Sequence, residues 1–73
     1  MATYAPGDHV KVEFRHGSGE SEWMWVEVDS CDDEHQVILG RLDSQPIVHG
    51  NLELGQQLAV SFDNIREHRR FSQ

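Results

Sequence analysis

Apolar and polar residues alternate along much of this chain with a period of two, as in half-buried β-strands whose successive side chains point to opposite faces. Val10, Val12 and Phe14 alternate with His9, Lys11, Glu13 and Arg15, and Pro6-Gly7-Asp8 just ahead is a turn signal. A first strand is therefore expected from His9 to Arg15, with the three apolar residues inward. Glu22-Trp23-Met24-Trp25-Val26-Glu27-Val28 repeats the pattern: Met24, Val26 and Val28 share one face, and Trp23, Trp25 and Glu27 share the other. The first face is core material. The second sets two large aromatics beside a carboxylate, and is either another buried layer or a surface that meets something. Between the two strands, the Gly- and Ser-rich run from His16 to Ser21 is too long for a two-residue hairpin and reads as a mobile loop.

Asp29 to Glu34 reads as an acidic turn, leading into a third strand over Gln36 to Leu42. The unbroken Val37-Ile38-Leu39 run in that strand predicts contact on both faces, and Gly40 marks a bulge or a sharp bend. Asp43-Ser44-Gln45-Pro46 is a turn cluster in which Pro46 biases Gln45 away from helix, and Ile47 and Val48 suggest a short edge strand. Alternation returns from Gln57 through Phe62 as the fourth strand. Asp63 is placed to cap a short helical turn through Asn64, Ile65 and Arg66. Glu67 to Gln73 has one aromatic to bury and is expected to fray. The prediction is an all-β fold: a small antiparallel, partly open SH3-like barrel of four to five strands with a short C-terminal helical turn. The alternative is a twisted meander whose open face is covered by a partner copy. Residues 1–73 form one domain in this reading, with 8–66 as the ordered core.

Length and charge narrow the functional classes. A chain of 73 residues buries only about 60% of the surface its unfolded form exposes. Cys31 is the single cysteine, so neither an intrachain disulfide nor a cysteine-based metal site can form, which fits a reducing compartment. With no basic leader and no long apolar run, no membrane association is expected and the cytoplasm is the expected location. A net charge of −7 argues against nucleic acid, whose phosphates need clustered Lys and Arg. The charge is uneven: Glu20, Glu22, Glu27, Asp29, Asp32, Asp33 and Glu34 follow one another with no intervening Lys or Arg, while Arg66, Arg69 and Arg70 gather near the C-terminus. Such an acidic arm is either a solvated hairpin that keeps the protein soluble or a face that docks on a basic partner.

The side chains point away from cofactor and metal chemistry. None of His9, His16, His35, His49 and His68 makes a helical i, i+4 pair or a short zinc-site spacing, and surface histidines are the simpler reading. Asp29, Asp32, Asp33 and Glu34 lack the spacing and the glycine of a calcium loop. Cys31 sits among acids that disfavour its thiolate. Tryptophan, in contrast, is enriched at binding hot spots, and an indole flanked by carboxylates suits a cationic side chain. The candidate binding residues are thus Glu20, Glu22, Trp23, Trp25 and Glu27, with no catalytic residue, metal or cofactor assigned. One of the two indoles is expected to close an end of the core; Trp25 is favoured for that role, leaving Trp23 exposed.

Several pieces of the chain together carry a resemblance. Gly19, Glu22 and Met24-Trp25-Val26 are followed by Gly40-Arg41-Leu42-Asp43-Ser44-Gln45-Pro46, then by Leu52-Glu53-Leu54-Gly55-Gln56-Gln57-Leu58 and Asp63-Asn64-Ile65. Over about Val10 to Glu67 this constellation resembles the YegJ-like domain of unknown function, an uncharacterised bacterial family. The resemblance implies a bacterial origin and a compact β-rich fold, and no established activity. Three functions are weighed. The first is a non-enzymatic module that binds a protein, a basic one being compatible with its charge, through the acidic tryptophan hairpin, as a monomer or weak homodimer. The second is a small enzyme or ligand-binding domain using His9, Glu22 and Glu27. The third is a charge-mimic or immunity-type protein that neutralises a basic partner.

Overall fold

In the computed structural model, which describes residues 3–15, 17, 19–44 and 52–70, five strands make one antiparallel sheet. They are β1 (His9–Arg15), β2 (Ser21–Asp32), β3 (Val37–Leu42), β4 (Gln57–Ser61) and β5 (Ile65–Arg69), with a 3-10 turn over Phe62–Asn64. The order across the sheet is β4-β3-β2-β1-β5, so the sheet is not closed, and β4 and β5 are its edges. No α-helix occurs among the described residues, and none is long and apolar enough to cross a membrane. The expected edge strand at Ile47 and Val48 lies outside the described residues, as do His16, Ser18 and His49.

The central strand is longer than its periodicity announced. β2 pairs with β1 from Ser21 to Glu27 and with β3 from Val26 to Asp32, so one strand serves two partners in succession. The acidic turn expected from Asp29 is therefore corrected: the strand continues through Asp32 and the turn spans 33–36. A register shift between Val28 and Ser30 explains why the pattern broke off there. Asp29 is an extra, bulged residue, after which the phase resets and Cys31 returns to the core side opposite Ile38.

In β3, Ile38, Gly40 and Leu42 point inward and are buried, whereas Leu39 is 43% exposed on the outer side. Contact on both faces is not realised, because no layer of described residues covers that side. The bulge expected at Gly40 lies on the facing strand β2, and not in β3 itself. Gly40 pairs regularly with Val28 and Leu58, directly beside that bulge, and the space for a side chain is missing. A Cβ there would stand 2.7 Å from Val26 Cγ1 and closer still to the Glu27 carbonyl oxygen.

The core consists of Val10, Val12, Met24, Val26, Val28, Ile38, Leu42 and Val60, rimmed by Tyr4, Phe14, Leu52, Leu58, Phe62 and Ile65 among others. Two features near the C-terminus depart from expectation. The cap of the 3-10 turn is Ser61, whose hydroxyl accepts from the Asp63 N–H at 3.3 Å, so Asp63 is the capped residue and not the cap. Glu67 to Arg69 belong to a strand instead of a tail: β5 pairs with β1 through Val12 and Ile65, Lys11 and Glu67, Val10 and His68, and His9 and Arg69. A register shift near Arg66 puts Ile65 and His68 on the inner side, so the strand's second inward residue is a histidine and the apolar alternation is lost.

That histidine is held by the segment ahead of β1. His68 Nε2 lies 2.7 Å from Oδ2 of Asp8, which is only 5% exposed, and the Ala5 N–H donates to the same oxygen at 3.1 Å. The Tyr4 ring packs edge-on against both Phe62 and His68, with centroids 4.9 and 4.7 Å apart. The Gly7 N–H donates to Val28 O, and the Val28 N–H donates to Asp8 O, both at 2.8 Å. His68 is thus a partner of a buried carboxylate and not the surface residue expected.

Candidate functional site

The outer face of the sheet carries Trp23, Trp25 and Glu27 from β2, set against Glu13, Lys11 and His9 of β1 in that order. Trp23 is 53% exposed and Trp25 half-buried. Trp25 does not close an end of the core, because its side chain leaves the sheet on the side away from Met24 and Val26. Cations cover it instead. Lys11 Nζ lies 5.6 Å from the Trp23 ring centroid and 5.7 Å from that of Trp25, and the Arg69 guanidinium carbon lies 5.1 Å from the Trp25 centroid. Contacts of this kind contribute about 0.5–1 kcal/mol each at exposed sites. Arg69 reaches Trp25 from the edge strand across β1, so the indole also ties β5 to the middle of the sheet. The Trp25 backbone is fixed on its other side, its N–H donating to Ser44 Oγ at 2.9 Å and its carbonyl accepting from the Asp43 N–H at 2.8 Å.

The five expected binding residues do not form one patch. Trp23, Trp25 and Glu27 share the outer face. Glu22 sits one residue out of phase with them, on the side of Met24, opposite Phe14, and is half-buried. Glu20 is exposed and precedes the strand. For the same reason His9, Glu22 and Glu27 do not assemble as a reaction centre. His9 does face Glu27 across the ladder, but its Nε2 pairs with Asp43 Oδ2 at 3.1 Å.

Ion pairs organise the rest of this face. Glu13, not singled out by the sequence, accepts from the Ser21 hydroxyl at 2.9 Å and from Arg66 Nε at 3.0 Å, with Arg15 at 3.7 Å. The Ser21 hydroxyl first, and then Arg66, hold its carboxyl below the ordinary glutamate range. A carboxyl lowered on folding stabilises the fold above its unfolded pKa and loses that contribution as pH falls through the folded value. The thermal-midpoint difference between the native chain and Glu13→Gln is therefore expected to be full at neutral pH and to close on acidification through and below the ordinary glutamate range. A difference constant with pH contradicts this. Arg41 pairs with the bulged Asp29 at 3.3 Å. Among the described residues, Lys11, Arg69 and Arg70 differ from Arg15, Arg41 and Arg66 in having no carboxylate within 4 Å. A cleft of about 280 Å³ opens between His9, Trp25 and Arg69.

A second depression, of about 440 Å³, lies at the far tip of β2 and β3 among Ser30, Cys31, Asp32, His35, Val37 and Leu39. Asp32 Oδ2 and His35 Nδ1 are 2.7 Å apart, and this bond lowers the Asp32 carboxyl below its usual range. The Asp33 carboxylate accepts from the Thr3 N–H at 3.1 Å, which lowers it as well. Burial, with Asp33 beside it, raises the Cys31 thiol above the usual cysteine value, so the thiolate is disfavoured as its acidic surroundings suggested. No group of three or more His, Cys, Asp or Glu among the described residues is arranged to hold a metal ion.

The chain matches no curated protein and no solved structure. A family match does cover the whole of this architecture, from Tyr4 on His68 to the tryptophan face and β5, over residues 4–73. By that match the chain belongs to a family described as uncharacterized protein conserved in bacteria (DUF2314).

Proposed function

We propose that this chain is a non-enzymatic protein-interaction module of the bacterial cytoplasm, a monomer or weak homodimer, that docks a protein partner on the outer face of β1 and β2. The observation that carries the reading is Trp23, more than half exposed on a strand whose inward residues fill the core without it. A large amphipathic ring left in solvent beside a second, half-covered ring is the composition of a binding hot spot. Trp25 and Glu27 flank the anchor. Glu22 turns to the other side, and Glu20 stands at the approach to β2. The five-strand meander, with its last strand returning beside its first, supports curling toward an SH3-like, partly open barrel. The Met24-Trp25-Val26 and Gly40-Arg41-Leu42 segments support the narrower YegJ-like kinship.

A basic partner, expected from charge alone, meets indoles already approached by Lys11 and Arg69. The reading therefore keeps the exposed ring and gives up cation capture. No observation favours the enzyme reading, with Glu22 and Glu27 on different sides, or the charge-mimic reading.

Capture from host-cell lysate at low salt tests the proposal, using the intact chain and Trp23→Ala in parallel. The expected result is one stoichiometric protein retained by the intact chain and lost by Trp23→Ala, with equal thermal midpoints for the two proteins. No protein retained by the intact chain sinks the proposal.

A further inference from the structure

The outer face holds an anomaly of charge. Of the chain's Lys and Arg residues, which number 6 against 13 Asp and Glu, Arg15, Arg41 and Arg66 each find a carboxylate. Lys11, Arg69 and Arg70 do not, among the described residues, although Glu67 stands directly opposite Lys11 in the ladder. Lys11 turns instead toward both indoles, and Arg69 lies on Trp25 from the neighbouring edge. Two cations with unspent donors thus converge on one aromatic floor in a chain where acids outnumber them about two to one. His9, Trp25 and Arg69 line the cleft, His9 Nε2 lies 3.1 Å from Asp43 Oδ2, and Lys11 approaches the same Trp25 ring.

We propose that this cleft is a carboxylate-docking site and that its occupant is an acidic peptide segment of a partner protein. The inference rests on the interaction-module reading above and adds the chemistry of the partner. A carboxylate entering between Lys11 and Arg69 accepts charge-assisted hydrogen bonds from both, while the aliphatic part of its side chain lies on Trp25. Glu27 stands opposite His9 and Glu67 opposite Lys11 in the ladders, and they disfavour a second carboxylate beside the first, which gives the site a preference for an acid flanked by apolar residues. The net charge of the chain repels acidic peptides in general, so binding of one reports a local site and not non-specific attraction.

The probe is the peptide acetyl-Leu-Glu-Leu-amide, titrated into the full chain at low salt, with acetyl-Leu-Lys-Leu-amide as its counterpart. The Trp25 indole N–H and Arg69 Nε–H resonances are followed by NMR. The acidic peptide is expected to shift both in a saturable way, and the basic peptide to shift neither. Arg69→Gln and Lys11→Gln are each expected to weaken binding about tenfold, the loss of one charged hydrogen bond. Two variants are used because Arg69→Gln can loosen β5, and melting curves identify whichever keeps the native fold. Any of three outcomes overturns the proposal: no saturable shift with the acidic peptide, equal shifts with the basic one, or undiminished binding in a folded variant. Shifts that depend on protein concentration without peptide also overturn it, by making a second copy the occupant. Failure of this titration leaves the lysate experiment free to succeed, because that experiment depends on Trp23 and not on a carboxylate.

Discussion

Gly40→Ala is expected to destabilise the fold by about 3 kcal/mol, although it adds one methyl group to a strand whose backbone any residue can adopt. The cause is the closeness of β2. The new Cβ meets the Glu27 carbonyl oxygen, a backbone atom held on both sides by the ladders to β1 and β3, and Val26 Cγ1, a core atom in a closely packed place. Neither yields cheaply. A flexible side chain could rotate away, but a carbonyl in the central strand moves only if the strand does. Urea unfolding of the two proteins measures the loss. A cost under about 1 kcal/mol, within the range of an ordinary surface substitution, means that the strands can separate and the account is wrong.

Asp8→Ala is expected to cost about 2–3 kcal/mol, the second-largest effect. The substitution removes the acceptor of the Ala5 N–H and of His68 Nε2 together, and leaves the histidine side chain inside the fold without its carboxylate. The figure lies below that of a fully buried pair because a quarter of the His68 side chain reaches solvent. His68→Gln breaks the same contact from the other end. A double-mutant cycle in urea therefore isolates the pair: the double variant is expected to be less destabilised than the sum of the single ones. Strict additivity shows that Asp8 acts through its turn alone. Asp8 lies 60 positions from His68, so this pair, with the Tyr4 rings beside it, ties the segment before β1 to the last strand.

These two residues mark where the sequence was readable and where it was not. The inward faces of β1 and β2 follow directly from alternation, since Val10, Val12, Met24, Val26 and Val28 are all buried where period two places them. Alternation is a local signal, and it fails where the phase changes. The bulge at Asp29 hid the second half of β2, and the register shift near Arg66 hid β5, where an inward histidine took the position of an apolar residue. Gly40 looked like a backbone device because a lone sequence shows a missing side chain without showing the neighbour that excludes it.

The candidate face was legible in part for the same reason. Trp23, Trp25 and Glu27 share one parity and were grouped correctly, and the exposed ring is Trp23 as favoured. Glu22 was grouped with them by charge, although its parity places it with Met24. Lys11 and Arg69 could not be connected to Trp25 without the strand order, since the two cations come from β1 and β5 and meet an indole on β2. Glu13 was passed over because its partners, Ser21 and Arg66, lie 8 and 53 positions away.

The last strand has a consequence for how the molecule behaves in a crowd. An open sheet offers unpaired amides and carbonyls at its rim, and such a rim recruits further strands into fibrils unless something discourages them. β5 runs Ile65-Arg66-Glu67-His68-Arg69, four ionisable side chains in succession, so a strand arriving on that side must bury charge to pair with it. Losing β5 would pass the role of rim to β1, whose Val10, Val12 and Phe14 are a far better template for addition. The arginine-rich stretch that looked like a loose basic tail is, in this position, a guard against aggregation.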